Sequence, residues 1–126
     1  MTNEKTVERE IVVDGARAVN FLGEDLRMYG TPSMIADIET GCRELVQPHL
    51  AHGEDTVGTH LIVEHLGPAI LGDVVRISIQ VKEHVGGVIA FEAKIFRADI
   101  LIGTALHRRA VVALDRLKTK LNALRG

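Results

Sequence analysis

The spacing of apolar residues changes once along this chain, near residue 56, and that change sets most of what the chain can fold into. Between Thr31 and Val46, the residues Met34, Ile35, Ile38, Cys42, Leu45 and Val46 recur at the spacing of one helical face. Thr31 reads as the N-cap of this helix, and Pro32 suits the first helical position, where a missing N–H leaves nothing unpaired. Pro48 and Gly53 mark its end. Beyond Thr56 the period falls to two. Val57, Leu61 and Val63 alternate with more polar positions up to Leu66, where Gly67-Pro68 breaks the run. Val75, Ile77, Ile79 and Val81 alternate with Arg76, Ser78, Gln80 and Lys82, as in a half-buried strand.

The remaining punctuation is short. Gly86-Gly87 predicts a hairpin turn, and Val88–Ala98 its return strand. Asp99 lies in a second tight turn, and Ile100–Leu114 forms a long last strand with Gly103 read at a bulge. Leu117, Leu121 and Leu124 predict a short C-terminal helix over about 116–125, and Val7–Val13 predicts an opening strand closed by Asp14-Gly15. The order is β-α-β-β-β-β. One long helix laid on a curved antiparallel five-stranded sheet buries both apolar faces, which predicts a two-layer α+β domain spanning residues 1–126. A sheet edge left open in such a layout favours a homodimer.

Composition removes several classes of function. Apolar residues make up 46% of 126, too many for a disordered chain, and the length suits one domain. Lys+Arg 15 against Asp+Glu 17 leaves a net charge of −2, which argues against nucleic acid or an anionic membrane as partner. No stretch approaches the ~20 apolar residues of a membrane span. Met1–Glu10 carries charges of both signs and no apolar core of a signal peptide, so a cytoplasmic protein is expected. Cys42 is alone, which excludes an intrachain disulfide, and its apolar neighbours make it a buried hydrophobe rather than a nucleophile.

Three polar residues interrupt the apolar pattern. Glu39 sits on the flank of the helical stripe, beside Ile35, Cys42 and Val46; either it reaches water at the stripe edge or it faces the sheet with a partner. Strict alternation places His65 on one strand face with Val57, Thr59, Leu61 and Val63, where an imidazole is either a hydrogen-bonded structural group or an acid/base. The hydroxyl of Thr31 is fully explained by capping, although a helix start also gathers N–H donors toward a carbonyl substrate. His49 and His52 lack the carboxylate companions of a metal site. Arg108 and Arg109, with Arg116, Lys118 and Lys120 nearby, form a basic cluster suited to a phosphate-bearing ligand. By alternation, Arg108 and Arg109 point to opposite faces.

Together these residues carry a family resemblance. Thr31-Pro32-Ser33-Met34-Ile35 followed by Glu39, then Thr56-Val57-Gly58-Thr59, His65 with Pro68 and Gly72, and Gly103 with His107-Arg108-Arg109, resemble the fluoroacetyl-CoA thioesterase-like branch of the hotdog-fold thioesterases over about residues 7–116. The resemblance implies a hotdog homodimer with acyl-CoA sites at its interface. It implies Thr31, Glu39 and His65 as the catalytic set, and Gly58 near the thioester carbonyl. No cofactor is implied, CoA being part of the substrate. Arg108 and Arg109 are the candidates for CoA phosphates. The segment Phe21–Met28 lacks the aromatic pair of the fluoroacetyl-specific enzyme, which leaves the acyl group open. A non-catalytic acyl-CoA or small-ligand binder is the alternative, and enoyl-CoA hydration is a weaker one.

Overall fold

A computed structural model describes residues 6–126. Its elements are β1 (Thr6–Val12), α1 (Thr31–Val46), β2 (Glu54–His65), β3 (Val74–Val85), β4 (Val88–Arg97), β5 (Ile100–Ala113) and α2 (Leu114–Arg125). Short 3₁₀ turns at Glu24–Leu26 and Gln47–His49 flank α1. The strands form one antiparallel sheet in the order β1-β3-β4-β5-β2. Both the helix and the four-strand run therefore fall where periodicity puts them. The Gly86-Gly87 turn joins β3 to β4, with Gly86 at φ 61.

The core lies between α1 and one face of the sheet. Met34, Ile38 and Cys42 from the helix are fully buried against Val75, Ile77, Ile79, Phe91, Ala93 and Ile95. Glycine allows the close approach at Gly103, where a Cβ would lie 2.9 Å from the Met34 sulfur. The expected irregularity in β5 falls beside it: Ile95 pairs with Gly103 and Phe96 with Leu101, so Ile102 is the extra residue. The carbonyl of Ile102 accepts the N–H groups of Leu66 and Gly67, which fixes the end of β2.

Two expectations about local geometry are corrected. The cap of α1 is Gly30, not Thr31, with extended backbone at φ −80, ψ 144 and no side-chain cap. Met34 N–H donates to the Gly30 carbonyl, which starts the helix one residue earlier and leaves the Thr31 hydroxyl free of the backbone. Nor does β2 alternate strictly. Gly58 pairs with Arg109 and His60 with Arg108, so Thr59 is a bulge residue. The bulge swaps the faces: Leu61, Val63 and His65 pair with His107, Ala105 and Gly103 on the helix side, and before the bulge the buried Thr56, with Gly58, takes that side instead of Val57 and Thr59.

Candidate active site

Thr31 opens the first turn of α1, and His65 is the last residue of β2. Their side chains meet, with Thr31 Oγ1 2.7 Å from His65 Nδ1. Because the cap falls on Gly30, the hydroxyl makes no bond to the helix N–H groups and is turned to the imidazole. With Nδ1 unprotonated, the hydroxyl is the donor and the imidazole the acceptor. Thr31 is exposed and His65 half-buried, so a substrate can reach both. The ring of Tyr29 stands edge-on to His65, 6.3 Å between centroids at 72°.

Glu39 belongs to a second group. Eight residues along a helix at ~1.5 Å each put it about 12 Å from Thr31. Its carboxylate is 3.6 Å from Arg109 Nη1, and its side chain remains 42% exposed. Both readings of its position therefore hold in part, since it lies at the edge of the stripe and also has a cation. Arg109 is buried, with 5% of its surface accessible. Its Nε donates to Thr56 Oγ1 at 2.8 Å, Nη2 to the Thr56 carbonyl at 2.9 Å, and Nη1 to His107 Nε2 at 3.2 Å. Burial lowers the pKa of Arg109, and the nearby Glu39 carboxylate works against that loss.

His107 completes this group; it stands in the His107-Arg108-Arg109 motif of the resemblance, which gave it no role. Because a guanidinium can only donate, Nε2 of His107 accepts; Nδ1 then carries the proton and donates to the His60 carbonyl at 2.9 Å. The neutral tautomer is fixed from both sides. The ring stacks on Phe91 at 5.9 Å, and burial pushes its pKa below the usual histidine value. A signal for it existed in β5, where Ala105, His107 and Arg109 follow Gly103 on the inward face.

Gly58 lies where this group needs space. A Cβ there would come within 2.5 Å of Glu39 Oε2 and 3.2 Å of His107 Cε1. Only a residue without a side chain leaves the carboxylate where it is, and only the Thr59 bulge turns that residue toward it. Arg108 and Arg109 separate as alternation predicts. Arg108 is exposed on the other face of the sheet, whereas Arg109 is committed inside the protein. Cys42 is fully buried, and burial pushes its thiol up to about 12, as befits a packing residue.

Among the described residues no helix is long and apolar enough to cross a membrane. Solved structures share the whole architecture. The fluoroacetyl-CoA thioesterase FlK superposes with a TM-score of 0.87 at 22% identity, covering 98% of this chain and 96% of that one. A hot-dog-like protein from Thermanaerovibrio acidaminovorans gives 0.90 at 22%, over 98% and 92%. A thioesterase superfamily member from Thermus thermophilus gives 0.88 at 21%, over 98% and 92%. The fold is thus the hotdog. At the level of sequence, the family model for fluoroacetyl-CoA-specific thioesterase matches residues 13–115. The fluoroacetyl-CoA thioesterase of Streptantibioticus cattleyicolor is 24% identical over 94 residues, 75% of this chain and 68% of that protein. The chain belongs to the fluoroacetyl-CoA-specific thioesterase family and is a thioester hydrolase.

Proposed function

We propose that this protein is a single-domain acyl-CoA thioesterase that hydrolyses a small acyl-CoA to the free acid and CoA. The observation that carries the reading is the 2.7 Å contact between Thr31 Oγ1 and His65 Nδ1, in a chain of this family. Thioester cleavage needs an oxygen nucleophile, a base for its proton and donors for the developing oxyanion. His65 is the base. Thr31 either attacks the thioester carbon itself or orients the attacking water; the hydroxyl suits both routes. In the first route the C–S bond breaks, CoA leaves with the proton that His65 took, and water then hydrolyses the acyl-threonine. Gly58 contributes its backbone N–H to the carbonyl oxygen.

Glu39 enters through a second protomer. In one chain it is about 12 Å from Thr31 by helix rise, and its ionic partner is Arg109 rather than His65. β2 is an edge strand with open backbone groups and exposed Val57 and Ile62. Antiparallel pairing of two β2 strands about a two-fold axis joins the sheets and sets the His65 end of one strand beside the Gly58 end of the other. Each site then draws Thr31 and His65 from one protomer, and Glu39 and Gly58 from its partner. There the carboxylate stabilises the protonated imidazole or activates water. Arg109 holds Glu39 from behind, which leaves the exposed Arg108 as the arginine suited to CoA phosphate.

A thiol-release screen over acyl-CoAs from acetyl to aryl and long-chain tests the activity directly. His65→Ala and Glu39→Gln are each expected to lower kcat/KM on the best substrate by about 10²-fold or more. Near-wild-type turnover in both variants overturns the residue assignment. Tight acyl-CoA binding with no thiol release across the panel establishes a binding protein instead.

A further inference from the structure

Asp37 lies on the buried face of α1 at 7% exposure, a carboxylate among Met34, Ile38 and Gly41. Both of its oxygens are hydrogen-bonded. Arg17 approaches as a fork, Nε to Oδ2 and Nη2 to Oδ1, both at 2.9 Å, and the Tyr29 hydroxyl donates to Oδ2 at 2.5 Å. Arg17 is held in turn by Asp14 through Nη1 at 2.9 Å. The pair is half-open, its carboxylate buried and its guanidinium 30% exposed, and the bidentate fork defines one geometry for both groups. The network reaches Tyr29 and Gly30, the two residues that precede Thr31.

We propose that Asp37 is a positioning residue for the Thr31–His65 pair, acting through Arg17 and the Tyr29 hydroxyl. The inference rests on reading that pair as the reacting one. Tyr29 precedes Thr31 by two residues, so the Tyr29–Asp37 bond closes a clasp over the first turns of the helix that carries the hydroxyl. Gly30 N–H donates to the Arg17 carbonyl at 2.9 Å, which ties the cap to the same arginine. Tyr29 N–H donates to the Ala69 carbonyl at 2.8 Å, which ties the clasp to the loop leaving His65. The Tyr29 ring, fixed at its hydroxyl end and 2% exposed, is the wall against which the His65 imidazole stands. Both members of the pair are thereby located by one network. Burial and the neighbouring carboxylate hold the Tyr29 phenol far above its ordinary range, so it remains a donor at any working pH.

Tyr29→Phe removes one oxygen and keeps the ring; Asp37→Asn keeps the shape and removes the charge. With acetyl-CoA as probe, each is expected to lower kcat about tenfold while KM stays within about twofold, since an ångström-scale misplacement acts on the chemical step. Nitrogen-15 imidazole spectra of the protein alone provide an independent reading. Wild type should show His65 in one tautomer, protonated at Nε2, and Tyr29→Phe should show averaged Nδ1 and Nε2 shifts. Wild-type kcat and an unchanged imidazole spectrum in both variants, with His65→Ala inactive, overturn this inference and leave the catalytic reading standing. Full activity of His65→Ala removes the catalytic reading and this inference with it.

Discussion

The Glu39 carboxylate faces Arg109 at 3.6 Å, and the guanidinium that holds it is itself held by Thr56 and His107. The ion pair is therefore asymmetric: its cation is buried and hydrogen-bonded on three nitrogens, while its anion remains open to solvent. Such an arrangement sets a fixed cation against one side of a carboxylate without removing it from reach.

Arg109→Lys tests this division. A lysine keeps the charge but cannot serve Thr56 Oγ1, the Thr56 carbonyl and His107 Nε2 together. Leaving buried acceptors unpaired should lower stability by about 1–3 kcal/mol in urea unfolding. Turnover should fall with it, because Glu39 loses its fixed partner. A variant with wild-type stability would mean that these contacts are dispensable.

Gly58→Ala is expected to act on the site and not on the backbone. The new methyl group meets Glu39 Oε2 at 2.5 Å, a flexible carboxylate end that can swing away. The fold should survive with a loss of about 1 kcal/mol, in line with ordinary overpacking. kcat/KM should fall at least about tenfold as Glu39 is displaced. Thermal unfolding and steady-state kinetics on the same preparation separate the two effects.

The elements were largely legible because periodicity and turn residues are local. The alternation of Val75 to Val81, the Gly86-Gly87 turn and the stripe from Met34 to Val46 each fix one element without reference to the rest. Thr31, Glu39 and His65 could be singled out because each is polar in an apolar pattern. What stayed hidden depends on distant partners. Nothing around Thr59 marks a bulge, because the extra residue is defined only against β5. Thr31 suits a cap by residue type alone, whereas the helix starts one residue earlier, at a Gly30 whose N–H is bonded to the Arg17 carbonyl. Nothing in the helical pattern singles out Asp37, since Arg17 and Tyr29 reach it from outside the helix.

His107 predicts the shape of the stability curve on the acid side. Its folded pKa lies below the ordinary 6.5, chiefly through burial. Above pH 6.5 both folded and unfolded states hold it neutral, and its contribution is fully present. Below pH 6.5 the unfolded chain takes up a proton that the folded protein refuses, so stability falls until the folded pKa is reached. The carboxylates of Asp55 and Asp73, held low by Arg43 and Arg97, withdraw their contributions only further down, below their ordinary 3.8. His107→Gln should flatten the limb just below pH 6.5 in denaturant titrations and leave the lower limb unchanged. A wild-type slope in that variant would assign the limb to another histidine.

The β2 edge predicts the state of assembly. Light scattering should return twice the 13.8 kDa of one chain. Val57 and Ile62 are 40% and 53% exposed in the single chain, so charging them leaves the core of the protomer untouched. In a symmetric pair, however, Val57→Asp with Ile62→Asp brings four carboxylates to one seam, the device by which open strand edges are kept from pairing. The double variant should run as a folded monomer with native circular dichroism and lose at least about tenfold in turnover, because Glu39 no longer meets Thr31 and His65. A monomer with full activity would place the whole reaction within one chain, and a variant that still dimerises would move the interface away from β2.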